Sequence, residues 1–152
     1  MAATYYRLGE GPTLAYSAPI VIDAEGETVL RYWSMDRVGN VEAPRTAIVR
    51  IDRTPPVATC SPEAVYRDSA KVCITASDAR SGVRLLSWSL DGDEWRSGTT
   101  SEATVETARA GLRRLSYLCA DAAGNVTAGS ASFVLMKPAV VVPTRPLTTM
   151  TL

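Results

Sequence analysis

Histidine is absent from the 152 residues, and cysteine occurs only three times. The first absence removes the imidazole base of the usual Ser- and Cys-based triads. A structural zinc site needs about four ligands, and Cys60, Cys73 and Cys119 form no C-x-x-C pair, so zinc is excluded as well. No apolar run approaches the roughly 18 residues that a membrane-spanning helix requires. An excess of charge is also lacking: Lys and Arg number 16, Asp and Glu number 16, and the formal net charge is +0. There is thus no basic field for nucleic-acid phosphates and no polybasic run for an anionic membrane surface. Neither a phosphate-binding glycine loop nor a nucleophile elbow occurs. The opening residues Met-Ala-Ala-Thr-Tyr-Tyr lack the charged segment and apolar core of a signal peptide. No stretch carries a helical period, and the expected class is all-β.

What remains is ordinary globular material. Hydrophobic residues make up 46% and charged residues 21%, enough for a core in one medium domain or two small β domains. One stretch is written twice. Residues 115–126 read Leu-Ser-Tyr-Leu-Cys-Ala-Asp-Ala-Ala-Gly-Asn-Val, and residues 30–41 read Leu-Arg-Tyr-Trp-Ser-Met-Asp-Arg-Val-Gly-Asn-Val. An ungapped comparison of residues 20–51 with residues 105–136 matches Gly26/Gly111, Leu30/Leu115, Tyr32/Tyr117, Asp36/Asp121, Gly39/Gly124, Asn40/Asn125, Val41/Val126, Ala43/Ala128 and Val49/Val134. These are turn formers and alternating apolar residues, and self-similarity at one fixed offset marks a tandem array.

In chain order, residues 4–8 (Thr-Tyr-Tyr-Arg-Leu) read as a strand ending at a Gly-rich turn, and residues 86–90 as its counterpart, ending at Asp91-Gly92. Residues 19–23 and 103–107 read as short strands, followed by Gly26 and Gly111 at the turns into the repeated strand. Alternation puts Leu30, Tyr32 and Ser34 on one face, with Leu115, Tyr117 and Cys119 inward in the second copy and Ser116, Leu118 and Ala120 outward. The turns Asp36-Arg-Val-Gly39-Asn40 and Asp121-Ala-Ala-Gly124-Asn125 suit Asx bonding and positive φ. Closing strands span about residues 46–52 and 130–136. Residues 53–56 (Arg-Thr-Pro-Pro) are a stiff joint. The second unit then opens with strands at 57–60 and 71–77, the latter with Val72, Ile74 and Ala76 inward. The first unit has no counterpart to these two strands, which makes residues 1–52 the C-terminal part of a truncated repeat and residues 57–136 a complete one. Residues 137–152 are a Pro/Thr-rich tail or linker, with residues 139–142 as an alternative strand.

The Thr-Tyr-Tyr-Arg-Leu strand, the strands closing on Asp-x-x-Gly-Asn-Val, the Asp-Arg-Thr-Pro-Pro joint and the Ser-Asp-Ala-Arg-Ser-Gly-Val segment together resemble the tandem immunoglobulin-like repeats of large bacterial secreted and cell-wall proteins, especially actinobacterial ones. The resemblance covers residues 4–136. It implies fibronectin-III-like β-sandwiches of about seven strands, the first one incomplete, with an extracellular or cell-wall location. It also implies a non-catalytic spacer or adhesive role with no cofactor. The implied partners are neighbouring repeats of the parent chain, together with host or cell-wall protein or glycan.

The candidate sites are correspondingly few. Asp36, Asp78, Asp91, Asp93 and Asp121 all fall in turns, where a turn-forming role accounts for each. Calcium is the sharper metal hypothesis, drawing on Asp78, Asp121 and Asn125, although the spacing matches no calcium loop. Trp33, Trp95 and Tyr16 are the candidate ligand-facing aromatics of an alternative reading, a carbohydrate-binding accessory module. The immunoglobulin analogy would join Cys73 to Cys119, but strand parity turns Cys73 outward and Cys119 inward. No inter-sheet bridge is therefore expected, and Cys60 with Cys73 is the pair to test if a disulfide forms.

Overall fold

The computed structural model of the chain describes residues 3–98 and 101–137, and every regular element among them is a β-strand. In the first unit β1 (Ala3–Leu8), β2 (Leu14–Ala15), β3 (Gly26–Met35) and β4 (Arg45–Ile51) form one antiparallel sheet in the order β2-β1-β3-β4. The second unit contains β5 (Val57–Cys60), β6 (Val65–Arg67), β7 (Ala70–Ser77), β8 (Val83–Leu90), β9 (Arg96–Gly98), β10 (Glu102–Thr107), β11 (Gly111–Asp121) and β12 (Val126–Met136). They make a three-stranded sheet, β10-β7-β5, and a five-stranded sheet, β6-β12-β11-β8-β9.

Binary patterning explains the second unit. β7 alternates strictly between buried and exposed, with Val72, Ile74 and Ala76 inward, the pattern of a strand with one face in the core and one in water. These side chains, joined by Ala103 and Val105 of β10, meet Leu86, Leu115, Cys119, Phe133 and Leu135 of the opposing sheet. Fully burying each large apolar side chain is worth about 1.5–3 kcal/mol. The outer face of the small sheet is polar, with the Thr59 and Thr75 hydroxyls 2.8 Å apart and Lys71 paired to Glu106 at 3.4 Å. Two sheets closing on one core make this unit an immunoglobulin-like, fibronectin-III-like β-sandwich. The edge strand β6 runs parallel to β12 and packs Tyr66 edge-on against Phe133 at 5.3 Å. The strand ends at a turn on Asp68, whose φ is 67°.

The first sheet repeats four of the five strands of the larger sheet. Tyr6 pairs with Tyr32 as Trp88 pairs with Tyr117, and Leu8 pairs with Leu30 as Leu90 pairs with Leu115. Gly26 and Gly111 open the long strands with φ of 103° and 104°. The ungapped repeat nevertheless loses step. Met35 pairs with Val41, but three residues back Tyr32 pairs with Arg45, four residues on. The extra residue falls beside Pro44, which has no N–H for the ladder. Ala47 consequently takes the place opposite Leu30 that Ala131 takes opposite Leu115. The Val49/Val134 identity is not a structural equivalence.

Two further expectations are corrected. Residues 19–23 form no strand. Their counterpart β10 is held by β7, and no strand equivalent to β7 accompanies the first sheet among the described residues. Ala120, expected outward, is buried, at the point just before the pairing with β8 shifts between Ala120 and Asp121. The tail of residues 138–152 lies outside the described residues.

Candidate functional site at the inter-unit joint

The repeated Asp-x-x-Gly-Asn turn is the most specific piece of local chemistry in the chain. In the first copy Asp36 Oδ1 accepts the amides of Val38 (2.9 Å) and Asn40 (2.8 Å), and Asn40 Nδ2 donates to Asp36 Oδ2 at 2.8 Å. In the second, Asp121 Oδ1 accepts from Gly124 N (2.7 Å) and Asn125 N (2.8 Å), and Asn125 Nδ2 donates to Asp121 Oδ2 at 2.8 Å. Gly39 and Gly124 supply φ of 95° and 98°, a region costly for residues with a Cβ. Bonds from Asn40, its side chain foremost, hold the Asp36 carboxyl below its ordinary range.

The surroundings of the two turns differ. Asp36 and Asn40 face solvent, whereas Asp121 is 0% exposed. Asn125 Nδ2 also donates to the carbonyl of Asp52 at 3.2 Å and reaches that of Thr54 at 3.5 Å. The second turn therefore clasps the chain as it passes from β4 to β5. Thr127 Oγ1 adds a bond to the Pro56 carbonyl at 2.5 Å, and Pro56 is buried. From the β7–β8 turn, Ser81 N donates to Asp52 Oδ2 at 3.1 Å. Arg80 Nε pairs with Glu25 Oε1 at 3.1 Å, and Thr54 Oγ1 donates to the same oxygen at 2.5 Å. Arg53 reaches back to the Asp23 carbonyl at 2.8 Å. The joint is thus bonded from both units. The bond from Thr54 is the largest influence lowering the Glu25 pKa, and the Ser81 side chain is the largest lowering that of Asp52. Both carboxylates therefore keep their charge further into acid than free side chains do.

Asp52, Asp78 and Asp121 bring carboxylate oxygens within 4.8 Å of one another. This is where the calcium hypothesis lands, with Asp52 added. Calcium takes about 6–8 oxygen ligands. Here the oxygens already accept backbone amides: Asp78 Oδ1 from Arg80 (3.0 Å) and Gly82 (2.7 Å), Asp52 Oδ1 from Thr54 (3.0 Å). That is turn and joint chemistry. Asp91 and Asp93 lie elsewhere, at the β8–β9 turn, paired with Arg113 (2.7 Å) and Arg109 (2.9 Å) respectively.

The candidate aromatics are not brought together. Trp33 stands on the outer face of the first sheet, its ring 6.2 Å from that of its cross-strand neighbour Tyr5. Tyr16 follows β2 beside Thr4, whose side chain belongs to the opposite face. Trp95 sits 53% exposed in the β8–β9 loop of the second unit. Trp88 packs partly buried against the core.

Cys60, Cys73 and Cys119 are all free. Cys60 pairs with Ile74 and packs toward the core, whereas Cys73 points outward to Glu102 at 3.3 Å. The Cys60–Cys73 bridge is therefore not made: the two residues sit on adjacent strands but on opposite faces, and a disulfide needs converging Cβ vectors. Burial pushes the Cys60 and Cys119 thiols up, and the bond to Glu102 does the same for Cys73. All three are protonated, weak nucleophiles at neutral pH.

Sequence reading located the turn motif and the joint separately. It missed Glu25, Asp52, Arg80 and Ser81 as partners across the joint. The only signal was that Asp-Arg-Thr-Pro-Pro and Asp-Ala-Arg-Ser-Gly both carry groups suited to capping backbone.

No protein-family model matches the chain, and no curated protein matches it by sequence. Among solved structures the chain is similar to the fibronectin(III)-like modules of Clostridium thermocellum CbhA. The identity is 17% and the TM-score 0.48, over 89% of this chain and 78% of that one.

Proposed function

We propose that this chain is a non-catalytic spacer, a stretch of an array of immunoglobulin-like repeats in a secreted or cell-surface protein, whose role is to hold successive domains at a set angle. Residues 1–52 are the C-terminal part of one repeat, residues 53–56 the joint and residues 57–136 a complete repeat. Neighbouring repeats are the partners, and surface contacts to protein or glycan are secondary. The observation that carries this reading is the joint itself. Five residues, Asp52 to Pro56, separate β4 from β5; two are prolines, bonds from Asn125, Ser81 and Thr127 tie the crossing down, and Arg80 reaches Glu25 of the first unit beside it. A flexible tether would carry none of these. The carbohydrate-binding alternative needs coplanar exposed rings on one face; Trp33 stacks near-parallel on Tyr5, but both rings are only partly exposed and Trp95 lies in the other unit.

Residual dipolar couplings measured on the two units of the intact chain test the proposal. One common alignment tensor is the expected result. Two tensors of different magnitude would mean independent tumbling and would remove the spacer role.

A further inference from the structure

The first sheet is half of a sandwich whose other half is specified by the second unit. No described residue from 3 to 55 is buried. Yet the face carrying Tyr6, Leu8, Leu30, Tyr32 and Val49 corresponds, strand for strand, to the face carrying Trp88, Leu90, Leu115, Tyr117 and Phe133. In the second unit that face is closed by β5, β7 and β10.

One piece of the missing layer is already present. Residues 17–22 stand where β10 stands, 85 positions later, and keep its parity. Ile20 and Ile22 are half-buried and Val21 is 80% exposed; at the corresponding places Val105 is buried and Glu106 exposed. β10 is a strand because β7 bonds it from Glu102↔Thr75 to Thr107↔Ala70. Residues 17–22 have the alternation and no such neighbour among the described residues, where a strand edge stays open. The Asp36–Asn40 turn points the same way, since its twin at Asp121–Asn125 clasps the chain entering from the preceding unit.

We propose that the first sheet is an acceptor for two antiparallel β-strands, apolar inward and polar outward in the manner of β5 and β7. The strands enter from the N-terminal side of β1 on the same polypeptide, and the second of them pairs antiparallel with residues 17–22. The entry side follows from connectivity: β7 leads through residues 78–82 into β8, and β1 is the counterpart of β8. This rests on the repeat-array reading and names what completes its first member. Pairing gives affinity through main-chain bonds, and alternate side chains give register.

The chain supplies its own probe. Tyr6 and Trp88 occupy equivalent places, so residue 1 corresponds to residue 83, and a second copy of residues 57–82 fused directly ahead of Met1 enters in register. Amide hydrogen exchange is then compared between the intact chain and the fused one. The expected result is a monomer in which exchange at residues 18, 20 and 22, whose counterparts in β10 face β7, slows about 100-fold or more, as amides enter a cooperative ladder. A fusion carrying Val72→Asp and Ile74→Asp in the added copy only should lose that protection while residues 57–136 keep theirs. Unchanged exchange at residues 18, 20 and 22 in the fused chain, or protection surviving the two aspartates, overturns the proposal. A dimeric unfused chain with these amides already protected overturns it too, in favour of a second copy as the occupant. The dipolar-coupling result on the unfused chain is independent of these outcomes, so failure of the spacer reading and failure of strand completion are told apart.

Discussion

Asn125→Ala against Asn40→Ala compares one residue in one motif in two environments. Asn125 Nδ2 donates to Asp121 Oδ2 at 2.8 Å and to the Asp52 carbonyl at 3.2 Å; its third approach, to Thr54, is at the limit at 3.5 Å. A bond to a charged group is worth about 1.5–3 kcal/mol and a neutral one about 0.5–1.5 kcal/mol. Asp121 is 0% exposed, so water cannot freely replace the lost donor. The expected cost of Asn125→Ala to the second unit is therefore about 2–4 kcal/mol. Asn40 donates to an exposed Asp36, where water takes over, and Asn40→Ala should cost about 0.5 kcal/mol. Urea unfolding of the second unit, read from exchange at Leu115 and Phe133, gives the first value. Exchange along β3 gives the second, with 1.4 kcal/mol appearing as a tenfold change. Asn125→Ala should also split the common alignment of the two units. Equal costs for the two substitutions, or a cost below about 1 kcal/mol for Asn125→Ala, would refute the view that burial against the joint is what distinguishes the second turn.

Two further expectations concern packing and pH. A Cβ at Gly129 would run into the Tyr117 ring, so Gly129→Ala should destabilise the second unit by about 1–3 kcal/mol. Adding Tyr117→Leu should recover part of that loss in thermal unfolding, and strict additivity would contradict the cross-strand contact. At the joint, Glu25 and Asp52 both have depressed pKa values in the folded state, so their contribution is complete above the ordinary carboxylate range, about 4. It is lost as pH falls through the lower, folded values. The common alignment of the two units should persist from pH 7 to pH 5 and fail only below about pH 4; loosening near pH 6 would point to other groups.

Much of the fold was legible because alternation is a local property. The strict in-and-out pattern of residues 71–77, the Asp-Gly turn after Leu90 and the paired Asp-x-x-Gly-Asn turns each state their conformation within a few residues. Residues 19–23 show where that legibility stops. They carry the same alternation as β10, but a strand exists only when a neighbour bonds it, and the neighbour is not a property of the segment. Pro44 shows the same limit in register. One added residue turns Val49 to the face opposite that of its sequence match Val134, and an ungapped comparison cannot register the slip.

The sequence by itself determined the all-β class, the repeat, the inward faces of β7 and β11 and the outward setting of Cys73, because side-chain parity and turn chemistry depend on neighbours along the chain. Tertiary structure alone decided what the joint is. Glu25, Asp52, Arg80, Asn125 and Thr127 are separated by up to about a hundred positions, and which donor finds which carbonyl depends on how one unit seats on the next. It also decided that Trp33, Trp95 and Tyr16 serve three separate surfaces and that Cys60 turns away from Cys73. The physical reason is the same in each case: a face is set by local alternation, but what lies across from that face is set by the packing of distant strands.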